Sequence, residues 1–432
     1  MTTPGKRRVV VTGLGLATAL GLEVSECWDK VLSGVSGVHK LNLNGAENSP
    51  VQSVAAVSES DLSRIEAEFH KDIERAGEKR TLFALWAAKR ALEDAVLLPF
   101  SGNRWRFGTV LAAGAPVNRL EDIYCHVSTG KKFDYESYLQ ITKEIHQESM
   151  LKNNSNRAAA LIAKKFNLNG VNATVTTACA SATQAIGTAY GLIKRGEQDV
   201  IAAGGADSMI NPIGLVFFVL LGAASVSTDK PELACRPFDK KRSGLVMGEG
   251  AGIVILEELQ HALSRGAKIY CEVAGYGSSM DAFQVTAPQP DGSGAEASMR
   301  AALTDSGIAL DSIDYINAHG TSTKLNDTAE TIAIKRVFNQ HAKDICISSS
   351  KSMTGHLLAA SGGPEFIFTV LSTHNDEIHP TINLTNPDPK CDLDYVPNVK
   401  RMKTVRAALS NSFGFGGQNA SVIVKKYPDK LV

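Results

Sequence analysis

A chain of 432 residues exceeds what one hydrophobic core usually organises, so two domains or a duplicated fold is expected. Lys and Arg total 45 and Asp and Glu total 45, which removes any general electrostatic reason to expect nucleic acid or an acidic membrane as partner. The cysteines at 27, 125, 179, 235, 271, 346 and 391 are odd in number and lack a C-x-x-C pair, so they read as reduced thiols and not as a disulfide frame or zinc site.

The N-terminus runs from MTTPGKRR straight into strand-like VVVTG with no signal-peptide core, and no segment reaches the ~18 uninterrupted apolar residues of a membrane span. A soluble, cytoplasmic protein is expected. Short β-branched runs then alternate with longer amphipathic segments: RRVVVTGLG (7–15), RFGTVLAAG (106–114), QDVIAAGG (198–205), GAGIVILEEL (250–259), KIYCEVAGYG (268–277), SIDYINAHG (312–320), DICISSS (344–350) and VRAALSNSFGFGG (405–417). This alternation predicts an α/β protein with a mostly parallel, buried sheet. Between the first two runs, LFALWAAKRAL (82–92) carries an apolar stripe at helical spacing and reads as a packing helix. GLGLAT (13–18) hints at a dinucleotide-binding turn, but Thr18 replaces the last glycine and no acidic residue follows ~20 positions on, so it reads as a strand-to-helix turn.

An internal echo organises these runs. VVVTGLG (9–15) resembles CEVAGYG (271–277), FGTVLAAG (107–114) corresponds to IDYINAHG (313–320), and the stretch around Cys179 recurs as ICISSSKSMTGHLLAASGGPEFIFTVL (345–371). The chain therefore reads as two copies of one α/β unit joined near 258–268, with halves 1–262 and 263–432. On this reading Cys179, in TTACASATQAIG (176–187), and His356 occupy matching helix N-termini.

A helix N-terminus carries unpaired N–H groups and positive potential, which lower a thiol pKa and stabilise nearby anions. Small neighbours leave room for a substrate at Cys179, whereas a free cysteine is also commonly buried and inert; both readings stand on this stretch alone. NAHGTST puts His319 where a strand ends and a loop begins, a usual place for catalytic groups in α/β sheets. SSSKSMTGHLLAASGGPE adds Lys351, His356 and Glu365, and NSFGFGGQN (411–419) supplies a glycine-rich turn whose N–H groups suit an oxyanion. The ten histidines show no metal-ligand spacing. DTAE (327–330) fits a capping box opening the next helix, so Asp327 and Glu330 are assigned no catalysis.

TTACASATQAIG, NAHGTST, SSSKSMTGHLLAASGGPE, PTINLTNPDPKCDLDYVP and NSFGFGGQNA, in this order, resemble the β-ketoacyl-acyl carrier protein synthases, specifically the elongating fatty-acid type. The resemblance spans nearly the whole chain. It implies a thiolase-like duplicated αβαβα layered fold, a homodimer, no metal and no cofactor of its own, the phosphopantetheine arriving on the carrier protein. It makes Cys179 the nucleophile, with His319 and His356 completing the site and the N–H groups of Cys179 and Phe413 forming an oxyanion hole. Lys351 and Glu365 become supporting residues behind the histidines. Acyl and malonyl thioesters on an acyl carrier protein are the implied substrates, and decarboxylative condensation to a β-ketoacyl thioester the implied reaction.

ACRPFDKKRSGLVMGEGAG (234–252) also matches the family. Arg236 and Asp239 read as parts of a structural turn, while Lys240, Lys241 and Arg242 suit the acidic carrier protein or its phosphate. Three departures from the elongating enzymes leave a specialised polyketide, polyene or unusual fatty-acid pathway open: the segment 112–152, Gln418 in place of threonine, and SGGPE in place of a more alanine-rich turn. A non-catalytic chain-length partner usually loses the nucleophile, and a thiolase usually has a second cysteine near the C-terminus. The retained Cys179, His319 and His356, and the cysteine-free C-terminal loop, argue against both.

Overall fold

The computed structural model describes residues 7–44, 46–72, 78–115, 132–141, 154–227 and 230–428. Ten strands form the main sheet: β1 (Val9–Ala17), β2 (Phe107–Ala113), β3 (Asn172–Val175), β4 (Val200–Asp207), β5 (Gly250–Glu258), β6 (Cys271–Met280), β7 (Ile313–Asn317), β8 (Cys346–Ser348), β9 (Ala407–Gly414) and β10 (Gln418–Lys426). Their spatial order is β8-β7-β9-β10-β6-β1-β5-β4-β2-β3. Read outward from the centre, β1-β5-β4-β2-β3 repeats as β6-β10-β9-β7-β8, so strands at the same rank in each half take the same place. The two runs meet where Val9–Val11 pair antiparallel with Cys271–Val273.

Seven helices matter for the site: α1 (Lys79–Asp94), α2 (Arg157–Phe166), α3 (Ser181–Lys194), α4 (Pro212–Leu220), α5 (Ser293–Ser306), α6 (Lys324–Phe338) and α7 (Gly362–Asn375). α1 lies on β1, β5 and β4 with α2 beside it, and α5 lies on β6 and β10 with α6 beside it. α3 and α7 touch each other and strands of both halves. The layers are thus outer helices, first-half strands, α3 with α7, second-half strands and outer helices, the αβαβα arrangement of the thiolase-like fold. A helix buried from both sides has no polar stripe to spare, and every residue of α7 from Gly362 to Thr373 is buried.

The echo between GLG and GYG has a steric cause. A Cβ at Gly13 would lie 2.2 Å from the Ala91 carbonyl oxygen and one at Gly15 would lie 2.1 Å from that of Ala87. In the second half, Gly275 and Gly277 meet the Ala302 and Ser298 oxygens at 2.4 and 2.2 Å in the same way. Each pair of glycines lets a helix backbone rest directly on a strand. GLGLAT is accordingly strand and not the strand-to-helix turn predicted for it, since β1 runs through Ala17.

The sheet is mixed, not mostly parallel. Among the described residues, four of its nine ladders are parallel and five antiparallel. β5 and β10 each return antiparallel beside the preceding strand, and β1 lies antiparallel to both of its neighbours. The sequence reading also passed over β10, while the strand expected ahead of Cys179 is β3. LFALWAAKRAL falls inside α1, whose residues 80–88 are buried.

Candidate active site

Cys179 sits in the turn between β3 and α3. Ala178 is held at φ +48°, a left-handed conformation rare for a residue with a side chain, and Ser181 Oγ braces the turn by accepting the Thr177 N–H at 2.7 Å and donating to Ala178 O at 2.6 Å. The sulfur is buried, and burial pushes its pKa up to about 11 against the opposing pull of Lys351 and the Phe415 backbone N–H. The free thiol is therefore protonated at neutral pH; desolvation outweighs the helix-terminus effect expected from the sequence.

His319 follows β7. Its backbone N–H and that of Gly320 donate to Glu330 at 2.8 and 2.9 Å, and its carbonyl oxygen accepts from Lys351 Nζ at 2.8 Å. Lys351 Nζ also approaches His319 Nδ1 at 3.3 Å and forms a buried ion pair with Glu365. An ammonium only donates, so Nδ1 is the accepting nitrogen and the ring proton sits on Nε2. Burial pushes the Glu365 carboxyl up to about 7, with Lys351 opposing.

His356 does not occupy a helix N-terminus matching that of Cys179. It lies between the short helix Lys351–Thr354 and a turn of 3₁₀ helix at Leu358–Ala360, six positions before α7 begins. The second half inserts thirteen residues between β8 and α7 where the first half has five between β3 and α3, and this longer connection carries the histidine. Its Nδ1 accepts the Leu358 N–H at 3.1 Å and contacts Ser361 Oγ at 2.7 Å, which again leaves the proton on Nε2. That Nε2 is buried without a protein partner.

The two imidazoles face each other edge to face, centroids 5.4 Å apart, and one ligating atom from each of Cys179, His319 and His356 lies within 4.8 Å of the others. Burial and the adjacent Lys351 charge hold both histidines well below the ordinary imidazole range, so both rings are neutral N–H donors. Among the described residues this is the one Cys/His/acid cluster that could hold a metal ion. It was invisible as a spacing because three separate loops supply it, and the neighbouring ammonium disfavours a resident cation.

All three residues line a cleft of about 460 Å³, together with Leu221, Thr286, Leu325 and Phe415. Gly414 also lines it, and a Cβ there would stand 3.1 Å from the Cys179 nitrogen, closer than ordinary van der Waals contact. The backbone N–H reaching the Cys179 sulfur is that of Phe415, two residues beyond the Phe413 whose N–H is expected in the oxyanion hole. Phe413 instead sets its ring 5.9 Å from that of His319. The glycines of SGGPE serve helix packing, since a Cβ at Gly363 would lie 2.4 Å from the Gly252 carbonyl oxygen.

Arg242 cannot meet a carrier protein. It is buried, 2.7 Å from Asp388 and 3.5 Å from Asp327, and donates to three backbone carbonyl groups. Lys240 and Lys241 are exposed. Asp239 accepts the N–H groups of Lys241, Thr385 and Asn386, as a turn residue would. Asp327 and Glu330 do not open a helix, because α6 begins at Lys324; both are buried on its inner face, Asp327 accepting the Phe238 N–H at 2.9 Å. Their i, i+3 spacing was the available signal for two carboxylates on one helix face. Of the divergent stretch 112–152, residues 116–131 and 142–152, with Cys125, lie outside the described residues.

Residues 6–262 match the family model described as beta-ketoacyl synthase, N-terminal domain, and residues 270–385 match beta-ketoacyl synthase, C-terminal domain. The chain is 41% identical over 426 residues to a 3-oxoacyl-[acyl-carrier-protein] synthase 2 of Synechocystis, covering 98% of this chain and 99% of that one. It is 38% identical to the protein of the same name in Coxiella burnetii, covering 98% and 100%. Among solved structures, it superposes with a TM-score of 0.87 at 33% identity on a type II PKS ketosynthase complexed with its acyl-carrier protein and bound to the hexaketide, covering 98% of this chain and 100% of that one. A beta-ketoacyl synthase from Burkholderia phymatum superposes at 0.83 with 32% identity, again covering 98% and 100%.

Proposed function

Because the chain belongs to the beta-ketoacyl synthase family, we propose that it elongates acyl chains by decarboxylative condensation, joining an acyl thioester to malonyl-acyl carrier protein in fatty-acid synthesis. The observation that carries this reading is the pair of neutral imidazoles with free Nε2 protons beside a buried thiol.

Cys179 Sγ attacks the acyl thioester as the thiolate, the C–S bond to pantetheine breaks, and the departing pantetheine sulfur takes up the proton that the thiol gives up. The Cys179 and Phe415 N–H groups steady the tetrahedral oxygen. Malonyl-carrier protein then enters; its C–CO2 bond breaks, and the electron pair moves into an enolate. The oxygen of that enolate accepts from His319 and His356 Nε2–H, donors typically worth ~3–4 kcal/mol each. The enolate carbon attacks the acyl-Cys179 carbonyl, and the Cys179 thiolate leaves and recovers a proton. Lys351 and Glu365 orient His319 from behind.

The phosphopantetheine arrives on the carrier protein, and the enzyme uses no resident cofactor or metal. It acts in the cytoplasm as a homodimer. The exposed apolar face of α4, with Val216 57%, Phe217 50% and Leu220 81% accessible, supports burial against a second copy. The repeated strand order, which breaks between β5 and β6, supports a division into halves at 262 and 263. The likeness to a type II PKS ketosynthase and to an ishigamide ketosynthase/chain length factor favours a second reading, a free-standing ketosynthase of a polyketide or polyene pathway.

Intact mass after incubation with acyl-carrier proteins of graded length, then malonyl-carrier protein, tests both. Acylation confined to Cys179, absent in Cys179→Ala and discharged as a β-ketoacyl product, is expected, and the preferred donor separates the pathways. An unmodified Cys179 with every donor overturns the catalytic reading.

A further inference from the structure

Asp207 closes β4 in the first half with its carboxylate buried, 2% exposed. It accepts the Ser208 N–H at 2.9 Å and, across to the second half, the Ala359 N–H at 3.0 Å. Gly114 walls it in, since a Cβ there would lie 2.5 Å from Oδ2. The mechanism above makes no use of this group.

Ala359 follows Leu358, a bulky residue held at φ +53°. Such a left-handed conformation persists only where surrounding contacts over-determine it. In it, the Leu358 N–H donates to His356 Nδ1 at 3.1 Å. Ser361 Oγ also meets Nδ1, at 2.7 Å, but a hydroxyl can donate or accept, whereas a backbone N–H only donates. The Leu358 contact is therefore the one that selects the tautomer, and it leaves the proton on the buried, unpartnered Nε2.

We propose that Asp207 is a positioning residue for His356: by anchoring Ala359 it holds the left-handed Leu358 peptide whose N–H keeps His356 Nδ1 free of a proton and presents Nε2–H to the malonyl thioester. The first half thus sets the protonation pattern of a histidine carried by the second. The inference rests on the condensing reading, in which His356 serves decarboxylation and Cys179 serves acyl transfer.

The test uses the full-length enzyme as wild type, Asp207→Asn and Asp207→Ala, with 15N-labelled histidine and His356→Gln to assign the resonances. Multiple-bond 15N–1H spectra should report the Nε2–H tautomer for His356 in wild type and loss of that pure state in Asp207→Ala. Release of carbon dioxide from malonyl-carrier protein should fall about 10- to 100-fold in Asp207→Ala, while acylation of Cys179 stays within about threefold. Asp207→Asn, which keeps one acceptor oxygen, should fall between. An unchanged tautomer in both variants overturns the proposal, as does an equal fall in the two half-reactions. If Asp207→Ala does not fold, a wild-type spectrum and decarboxylation rate in Asp207→Asn overturn it. Failure of the condensing reading is separate: wild-type enzyme would then leave Cys179 unacylated, while the tautomer comparison still reads on Asp207.

Discussion

Glu330 accepts the His319 backbone N–H at 2.8 Å from the inner face of α6, the helix whose first residues, Lys324 to Asn326, line the cleft. The same carboxylate takes the Gly320 N–H, so the strand-to-loop turn that presents the imidazole is pinned by one side chain. Burial lifts this carboxyl from 4.5 to about 7, with the two N–H groups opposing.

The raised pKa has a definite sign. Between pH 4.5 and 7 the folded protein binds more protons at Glu330 than the unfolded chain does, so this group's contribution is full below about pH 4.5 and is lost as pH rises through about 7. Wild type should lose about 3 kcal/mol relative to Glu330→Gln across that window as an upper bound. Urea unfolding of both proteins at pH 5 and pH 8 checks it; parallel pH profiles would refute the assignment.

Cys179 alkylation by iodoacetamide should rise about tenfold per pH unit from 7 to 9, because a thiol near 11 stays mostly protonated throughout. Peptide mass spectrometry of the modified Cys179 gives the rate. A plateau below pH 8 would mean that the helix terminus, and not burial, governs the sulfur.

Replacing either His319 or His356 by glutamine should cut condensation by about 10²- to 10³-fold, the usual loss on removing one preorganised donor. Acyl transfer to Cys179 should survive far better, since the thioester exchange draws on backbone N–H groups. Separate assays of acyl-enzyme formation and β-ketoacyl product distinguish the two steps.

Lys351 and Glu365 are both almost fully buried, so removing one partner strands the other's charge. Lys351→Met and Glu365→Leu should each cost about 3–5 kcal/mol, whereas the double variant should cost less than their sum. Denaturant unfolding closes the cycle; additive losses would show that the ion pair is not the operative contact.

Charge reversal at exposed Lys240 and Lys241 should raise the KM for carrier-borne substrate several-fold at low salt and have a smaller effect at high salt. The kcat for a pantetheine-linked substrate lacking the carrier should not change. An unaltered KM would remove these lysines from the docking surface. Reversal at Arg242 should instead unfold the chain, because that guanidinium is buried between Asp327 and Asp388.

Much of this site was legible because its chemistry rides on short, dense motifs. Cys179, His319 and His356 come together with the Lys351–Glu365 pair beside them, and the GLG and GYG glycines announced the repeat through a steric need that both halves share. What escaped depended on exact lengths. The helix start at Lys324 turned an expected capping box into two interior carboxylates, and the turn at 415–417 puts the Phe415 N–H beside the sulfur, a contact the motif did not announce. The long β8–α7 connection displaced His356 from its expected place, because a repeat predicts equivalence only where its loops have equal length. Parallel and antiparallel pairing, finally, is a matter of how strands return, which periodicity does not encode.

α3 and α7 are covered by strands of both halves, and this bears on synthesis. A ribosome that has released only the first half holds a chain whose cysteine-bearing helix has one face laid on its own strands and the other bare. Apolar surface of that kind attracts other nascent chains until its cover emerges. A pause or premature stop near 262 should therefore yield an aggregating or chaperone-bound fragment, and the two halves should become protease-resistant together and not in turn.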